Sequence, residues 1–151
     1  MKLHKQLLEA GYSKLKAGIV PFLDDGRCLF VVSSNAAYGG LDPAIAKGRV
    51  DGEESAKDAA IREGIEELGL RRSNMAAEPF LGWKGELTGL DATYPMEVYA
   101  VLVKSEKAFD TPDEETARTV WMTWADFKAE GRQTHVVIMN KIFDKIGTYL
   151  K

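Results

Sequence analysis

"GRVDGEESAKDAAIREGIEELGL", residues 48–70, places Glu63, Glu66 and Glu67 within five positions, with Glu54 upstream and a glycine at each end of the acidic run. The segment has helical periodicity. Ile61, Ile65 and Leu68 are spaced four and three apart, which predicts a helix over 54–68 with these three residues facing a core. Gly69, directly after the last apolar position, is a usual stop. At about 100° per residue the three glutamates share a face roughly 100° wide. Like charges at that spacing repel by roughly 0.2–0.5 kcal/mol per pair on an exposed helix. The cluster has a bland explanation, a solvated face softened by Asp58–Arg62 and Arg62–Glu66 pairs, and a chemical one, a divalent-cation site built from hard oxygen donors.

The rest of the chain frames that helix. With 151 residues, 45% apolar and 28% charged, the composition suits one compact domain over 1–151 and is unlike that of a disordered chain. The formal net charge of −3 does not give the electrostatic footprint of a nucleic-acid binder, so nucleic acid is an unfavoured partner, and a small anionic substrate needs a local cation. A lone cysteine, Cys28, rules out an intrachain disulfide and is compatible with a reducing cytoplasm. No apolar run approaches the ~18 residues of a spanning helix, and "MKLHKQLLEAGYSKLK" is too charged for a signal peptide. The expectation is a soluble cytoplasmic protein with no membrane partner; a homodimer remains open.

Residues 3–10 read as a short helix. "AGIVPFL" and "RCLFVVSS" flank "DDG", a hairpin pattern, with Pro21 marking a strand end or bulge. Residues 34–47 read as a loop that becomes extended near "AIAK". "FLGWKGEL", "MEVYAVLV" and "TVWMTW" read as strands, and Trp121 and Trp124 as residues on one side of the last. "ADFKAEG" reads as a helical turn, and 134–146 as an amphipathic helix burying Ile138, Ile142 and Ile146. Strands interleaved with a central and a terminal helix predict a mixed sheet with helices packed on it, α/β or α+β.

The spacing G-x5-E-x7-R-E-U-x-E-E-x-G-U, with U a bulky apolar residue, is met at Gly48, Glu54, Arg62, Glu63, Glu66, Glu67, Gly69 and Leu70. A chance match at the seven fixed positions is on the order of 10⁻⁸ per window. The segment resembles the Nudix box of the Nudix hydrolases, and the preceding hairpin, "AKG" and "TVWMTWADF" lie where that family has comparable elements. Two positions depart from the pattern: Gly64 stands where an apolar residue is usual, and Ala46 where proline is common.

The resemblance implies the Nudix fold, a mixed β-sheet sandwiched between helices, and a Mg²⁺-dependent hydrolase, with Mn²⁺ as the alternative ion. It assigns Glu63 and Glu67 as metal ligands, Glu66 as a supporting ligand or binder of a second ion, and Glu54 with Arg62 as the pair that orients loop and helix. Gly48 brings a backbone carbonyl close to the metal, and Lys47 is a candidate phosphate contact. Glu114 and Glu115, with Glu97 behind them, are candidates for the base that deprotonates the attacking water. Tyr38, Trp83, Tyr94, Tyr99 and Phe109 are available to hold a nucleobase. Cys28 reads as packing. His4 and His135 show no ligand spacing, although His135 could reach the site.

The implied reaction is cleavage of a nucleoside diphosphate linked to another group X, leaning to adenine-containing substrates such as ADP-ribose, dinucleoside polyphosphates or FAD-like coenzymes. A nucleoside triphosphate pyrophosphohydrolase, an RNA 5′ pyrophosphohydrolase and a catalytically silent nucleotide-binding module are the alternatives.

Overall fold

The computed structural model describes residues 15–35, 40–88 and 93–151. The helix expected over 3–10, His4 and Tyr38 lie outside them. Six strands form one mixed sheet: β1 (Lys16–Phe22), β2 (Cys28–Ser33), β3 (Ala46–Arg49), β4 (Phe80–Thr88), β5 (Thr93–Leu102) and β6 (Thr116–Met122). The described residues also hold three α-helices, in chain order α1 (Ala56–Leu68), α2 (Trp124–Glu130) and α3 (Gln133–Tyr149).

The sheet runs β4-β5-β1-β2-β6, with β3 also paired to β1. β1 is its axis. It runs parallel to β5 from Lys16↔Met96 to Phe22↔Leu102. On its other edge it changes partners, pairing antiparallel with β3 from Lys16↔Arg49 to Ile19↔Ala46 and then with β2 at Phe22↔Cys28. Pro21 falls in the interval between those partners and does not end the strand. The "DDG" turn forms as read: Gly26 is at φ 90, its amide donates to the Leu23 carbonyl at 2.9 Å, and the Leu23 amide donates to the Arg27 carbonyl. Because β2 leaves β1 and pairs with β6, β3 pairs among the described residues with β1 alone and its outer edge is open there; the Val31↔Ala44 bridge joins β2 to the segment just before it.

Each face of the sheet carries its own apolar layer. On one, Phe22, Phe30, Met96, Val98 and Met122 pack under α2 and α3, whose Phe127, Ile138, Met139, Ile142 and Ile146 are all at most 2% exposed. The Phe30 and Phe127 rings stack at 4.0 Å. On the other, Ala17, Ile19, Leu29 and Val101 meet Ala59, Ala60, Ile61 and Leu68 of α1. This is the expected sandwich of a mixed sheet between helices.

Three readings need correction. Ile65 is not part of the buried face: it is 39% exposed, and Gly64 takes its place against the sheet. A β-carbon on Gly64 would lie 2.9 Å from Ile19 Cγ2, so the glycine lets α1 settle onto β1. The last strand ends at Met122, and Trp124 opens α2 because Thr123 caps that helix through the Asp126 amide. The two tryptophans therefore lie on opposite faces. Trp121 packs on the α1 side against Phe109, whereas Trp124 packs on the α3 side against Phe143.

Candidate active site

Local rules fix α1. Ser55 Oγ accepts the Asp58 amide at 3.1 Å, capping the first turn. Gly69 ends the helix at φ 73, and the Leu70 amide reaches back to the Gly64 carbonyl. The last turn leaves carbonyls unpaired within the helix. Residues 113–116 take two of them: the Asp113 amide donates to the Glu66 carbonyl at 2.8 Å, and Thr116 Oγ1 donates to the Glu67 carbonyl at 2.9 Å.

Packing α1 on β1 carries the acidic face to the open edge of β3. Glu63 is 9% exposed and lies directly over Gly48, where any β-carbon would overlap its carboxyl group. Burial, then hydrogen bonding and charge from Glu63, push the Glu67 carboxyl up to about 9, while the charge and the backbone amide of Lys47 pull it down. Glu66 is set apart: its carboxylate is about half exposed and lies 3.6 Å from Arg62 Nη1.

Arg62 ties the helix to the loop before it. Its guanidinium forks onto Glu54, with Nε donating to Oε2 at 2.9 Å and Nη2 to Oε1 at 3.1 Å. It also donates to Glu63 Oε1 and to the Arg49 carbonyl, both at 2.9 Å. Glu54 Oε1 accepts the Asp51 amide. These charge-assisted bonds hold Glu63 in one orientation and raise the Arg62 pKa further above its usual value, the Glu54 bond contributing most.

The other candidates separate. Lys47 is largely buried, and its ammonium is brought down to about 8, first by burial and then by Arg132 and Lys16; Glu67 and Glu63 act the other way. Glu114 and Glu115 have exposed side chains, and their main-chain carbonyls accept from Ser34. Glu97 lies on the α1 face, aligned with Ala17 and Gly48 across β5, β1 and β3, and accepts the Tyr99 hydroxyl at 2.8 Å. That bond and burial push the Tyr99 phenol up to about 12, burial contributing most. Cys28 is buried in β2, its thiol raised by desolvation. A groove of about 450 Å³ lined by Asp25, Trp124, Asn140 and Phe143 opens at the other end of β1, away from the carboxylates.

His135 is the residue whose neighbourhood the sequence does not disclose. It is fully buried, and its Nδ1 accepts the Ile45 amide at 3.1 Å, next to β3. Its Nε2 is buried without a partner among the described residues. Burial, Lys47 and Arg132 hold its pKa well below the usual value. The Ile45 contact spans ninety residues of sequence, so no spacing rule could have found it.

The donor set fits a divalent cation in part. Two crowded carboxyls over a glycine backbone, Glu63 buried and Glu67 half-buried, one of them driven to keep its proton, present hard oxygens that a cation would relieve. Among the described residues no three acidic, histidine or cysteine side chains already converge on one point, because Glu66 is turned toward Arg62.

The chain matches the NUDIX domain family model over residues 13–142. It belongs to the Nudix family. Comparison with curated proteins gives no match. Among solved structures, a C. elegans Ap4A hydrolase in a binary complex superposes with TM-score 0.71 at 17% identity, covering 91% of this chain and 97% of that one. The M. smegmatis Nudix hydrolase RenU gives 0.66 at 16%, covering 88% and 87%. A bifunctional NMN adenylyltransferase/ADP ribose pyrophosphatase from Francisella tularensis gives 0.69 at 16%, covering 97% of this chain and 45% of that chain. These likenesses establish the fold. Family membership makes the chain a pyrophosphohydrolase of the kind that uses divalent metal ions on small nucleotide substrates. Among the described residues no helix is long and apolar enough to cross a membrane.

Proposed function

We propose that the chain hydrolyses the pyrophosphate bond of a nucleoside diphosphate linked to a group X, with adenine-containing nucleotides as the preferred class. The observation that carries this reading is the Glu63–Glu67 pair at the edge of β3, with Glu63 buried over Gly48 and Glu67 half-buried beside it. Glu63, Glu67 and the Gly48 carbonyl hold Mg²⁺ or Mn²⁺, and Glu66 joins them by turning away from Arg62. When bound, such a cation neutralises anhydride oxygens and makes water a better nucleophile at neutral pH.

The protein's own groups do the rest. The Arg62 fork keeps the Glu63 oxygens aimed at the β3 edge. Lys47 offers a positive charge to the departing phosphate. Glu97, aligned with Gly48 across Ala17, is better placed to take a proton than Glu114 or Glu115, whose exposed side chains lie on the segment that closes the end of α1. The solved structures named for Ap4A and ADP-ribose chemistry share the fold and motivate the adenine panel.

The test is turnover of ADP-ribose, diadenosine polyphosphates, FAD and nucleoside triphosphates with Mg²⁺ or Mn²⁺, read by product identity in ¹⁸O-labelled water. A nucleoside monophosphate plus phosphorylated X is expected. Silence on every adenine compound, from folded protein, overturns the reading.

A further inference from the structure

Among the described residues β4 is an end strand of the sheet. β5 pairs with one edge of it, from Phe80↔Ala100 to Thr88↔Thr93, and no strand lies along the other. At nine residues it is a long edge, and an unpaired row of amides and carbonyls of that length is a template for a further strand. The register with β5 indicates which residues turn those groups outward. Pro95 has no amide hydrogen and lies opposite Glu86, so that position is of the kind whose backbone groups point away from the partner strand. Lys84, two residues earlier and opposite Glu97, shares the orientation, because the irregularity in β4 lies before it, between Leu81 and Trp83.

The side chains along this edge complement a second copy of themselves. Lys84 and Glu86 are both exposed on one face of the strand, and neither belongs to an ion pair among the described residues. Gly85 lies between them. When two β4 strands run antiparallel about a two-fold axis at Gly85, Lys84 of each copy stands opposite Glu86 of the other, in the positions that exchange backbone hydrogen bonds. Sliding the register by two residues in either direction sets Lys84 against Lys84 or Glu86 against Glu86, and like charges directly opposite destabilise a strand pair. Sliding it by one sends facing side chains to opposite faces of the sheet. On the second face, a β-carbon on Gly85 would lie 2.7 Å from Trp83 Cζ2, so the half-buried indole lies across the glycine. Glycine facing glycine, at the position where opposed side chains come closest, leaves both indoles room at the seam.

We propose that the chain forms a two-fold dimer through the β4 edge, with Gly85 on the axis and the two six-stranded sheets joined into one. The occupant of the edge is a second copy of this chain, selected by the reciprocal Lys84–Glu86 pairs. β5 and β1 separate the seam from β3 and the carboxylates above it, so each copy keeps its own site.

Sedimentation equilibrium of the full chain over a concentration series tests this. The wild type should reach the dimer mass below about 100 μM. Lys84→Glu and Glu86→Lys each set like charges opposite one another on both sides of the axis, and each should weaken dimerisation at least about tenfold. The chain carrying both changes regains opposite charges and should dimerise like wild type. So should an equimolar mixture of the two single variants, since each supplies the charge the other lacks. Lys145→Glu, a reversal on an exposed position of α3, should leave the mass unchanged. A wild type that stays monomeric up to about 100 μM overturns the dimer and needs no variant that folds. A dimer that survives in both single variants, each melting like wild type, puts the contact elsewhere. Single variants that dissociate, and recover neither in the mixture nor in the double variant, overturn the pairing about Gly85.

Discussion

Glu63 and Glu67 are one helical turn apart, but what makes them a functional pair is the glycine beneath them. Gly48 has no β-carbon, so the Glu63 carboxyl fills that space and is pressed against Glu67. Replacing Glu67 with Gln removes the proposed ligand while keeping shape and one acceptor. Turnover should fall at least about a hundredfold, roughly 2.7 kcal/mol of barrier, with unchanged far-UV circular dichroism; full activity in that variant would disprove the ligand assignment. Arg62 acts one step back. Lysine cannot fork onto Glu54 while also bonding Glu63 and the Arg49 carbonyl. Arg62→Lys should therefore lower kcat/KM about 10–100-fold, and fixed-substrate metal titrations should show a weaker apparent metal affinity.

At the scale of elements, the end of α1 and the start of α3 hold the site together. Gly69 adopts the left-handed conformation while a β-carbon there would run into the Asp110 carbonyl, and the Asp110 amide donates to the Gly69 carbonyl at 2.7 Å. Gly69→Ala should cost at least about 2 kcal/mol in urea unfolding, since the left-handed penalty alone is about 1–2 kcal/mol. His135 gives α3 a pH dependence. Its folded pKa lies well below 6.5, so in acid the unfolded chain takes up a proton that the folded chain refuses. Its contribution is fully present above the unfolded pKa and is lost as pH falls from about 6.5 toward the folded value, with a slope of at most about 1.4 kcal/mol per pH unit. His135→Gln keeps an acceptor for Ile45 and should flatten that acid limb; identical slopes in both proteins would refute the assignment.

For the whole molecule, the strand order positions the chemistry. β1 trades β3 for β2 along its length, so the sheet opens where α1 presents its carboxylates. A ligand held in that opening binds the folded state alone. At a hundred times its dissociation constant Mg²⁺ should stabilise the protein by about 2.7 kcal/mol. Thermal unfolding should therefore shift upward with Mg²⁺ or Mn²⁺ in wild type and stay fixed in Glu63→Gln. An equal shift in both proteins would place the ion elsewhere.

The sequence by itself determined what short-range rules can carry. The Gly69 end of the central helix, the Gly26 turn, the buried isoleucines of the last helix and the spacing of the box residues all follow from periodicity and turn chemistry, whereas the Ser55 cap starts the helix two residues later than the expected 54. Tertiary structure decided which side of α1 faces the sheet. Ile65 lost its expected place to Gly64 because close approach of Ile19 favours a missing side chain over a large one. It also separated Glu66 from Glu63 and Glu67, although all three share one helical face, since burial is set by where the sheet ends. The contact of His135 with Ile45 belongs to tertiary structure alone. The two residues lie ninety positions apart, and only the docking of the last helix beside residues 43–45 brings them together.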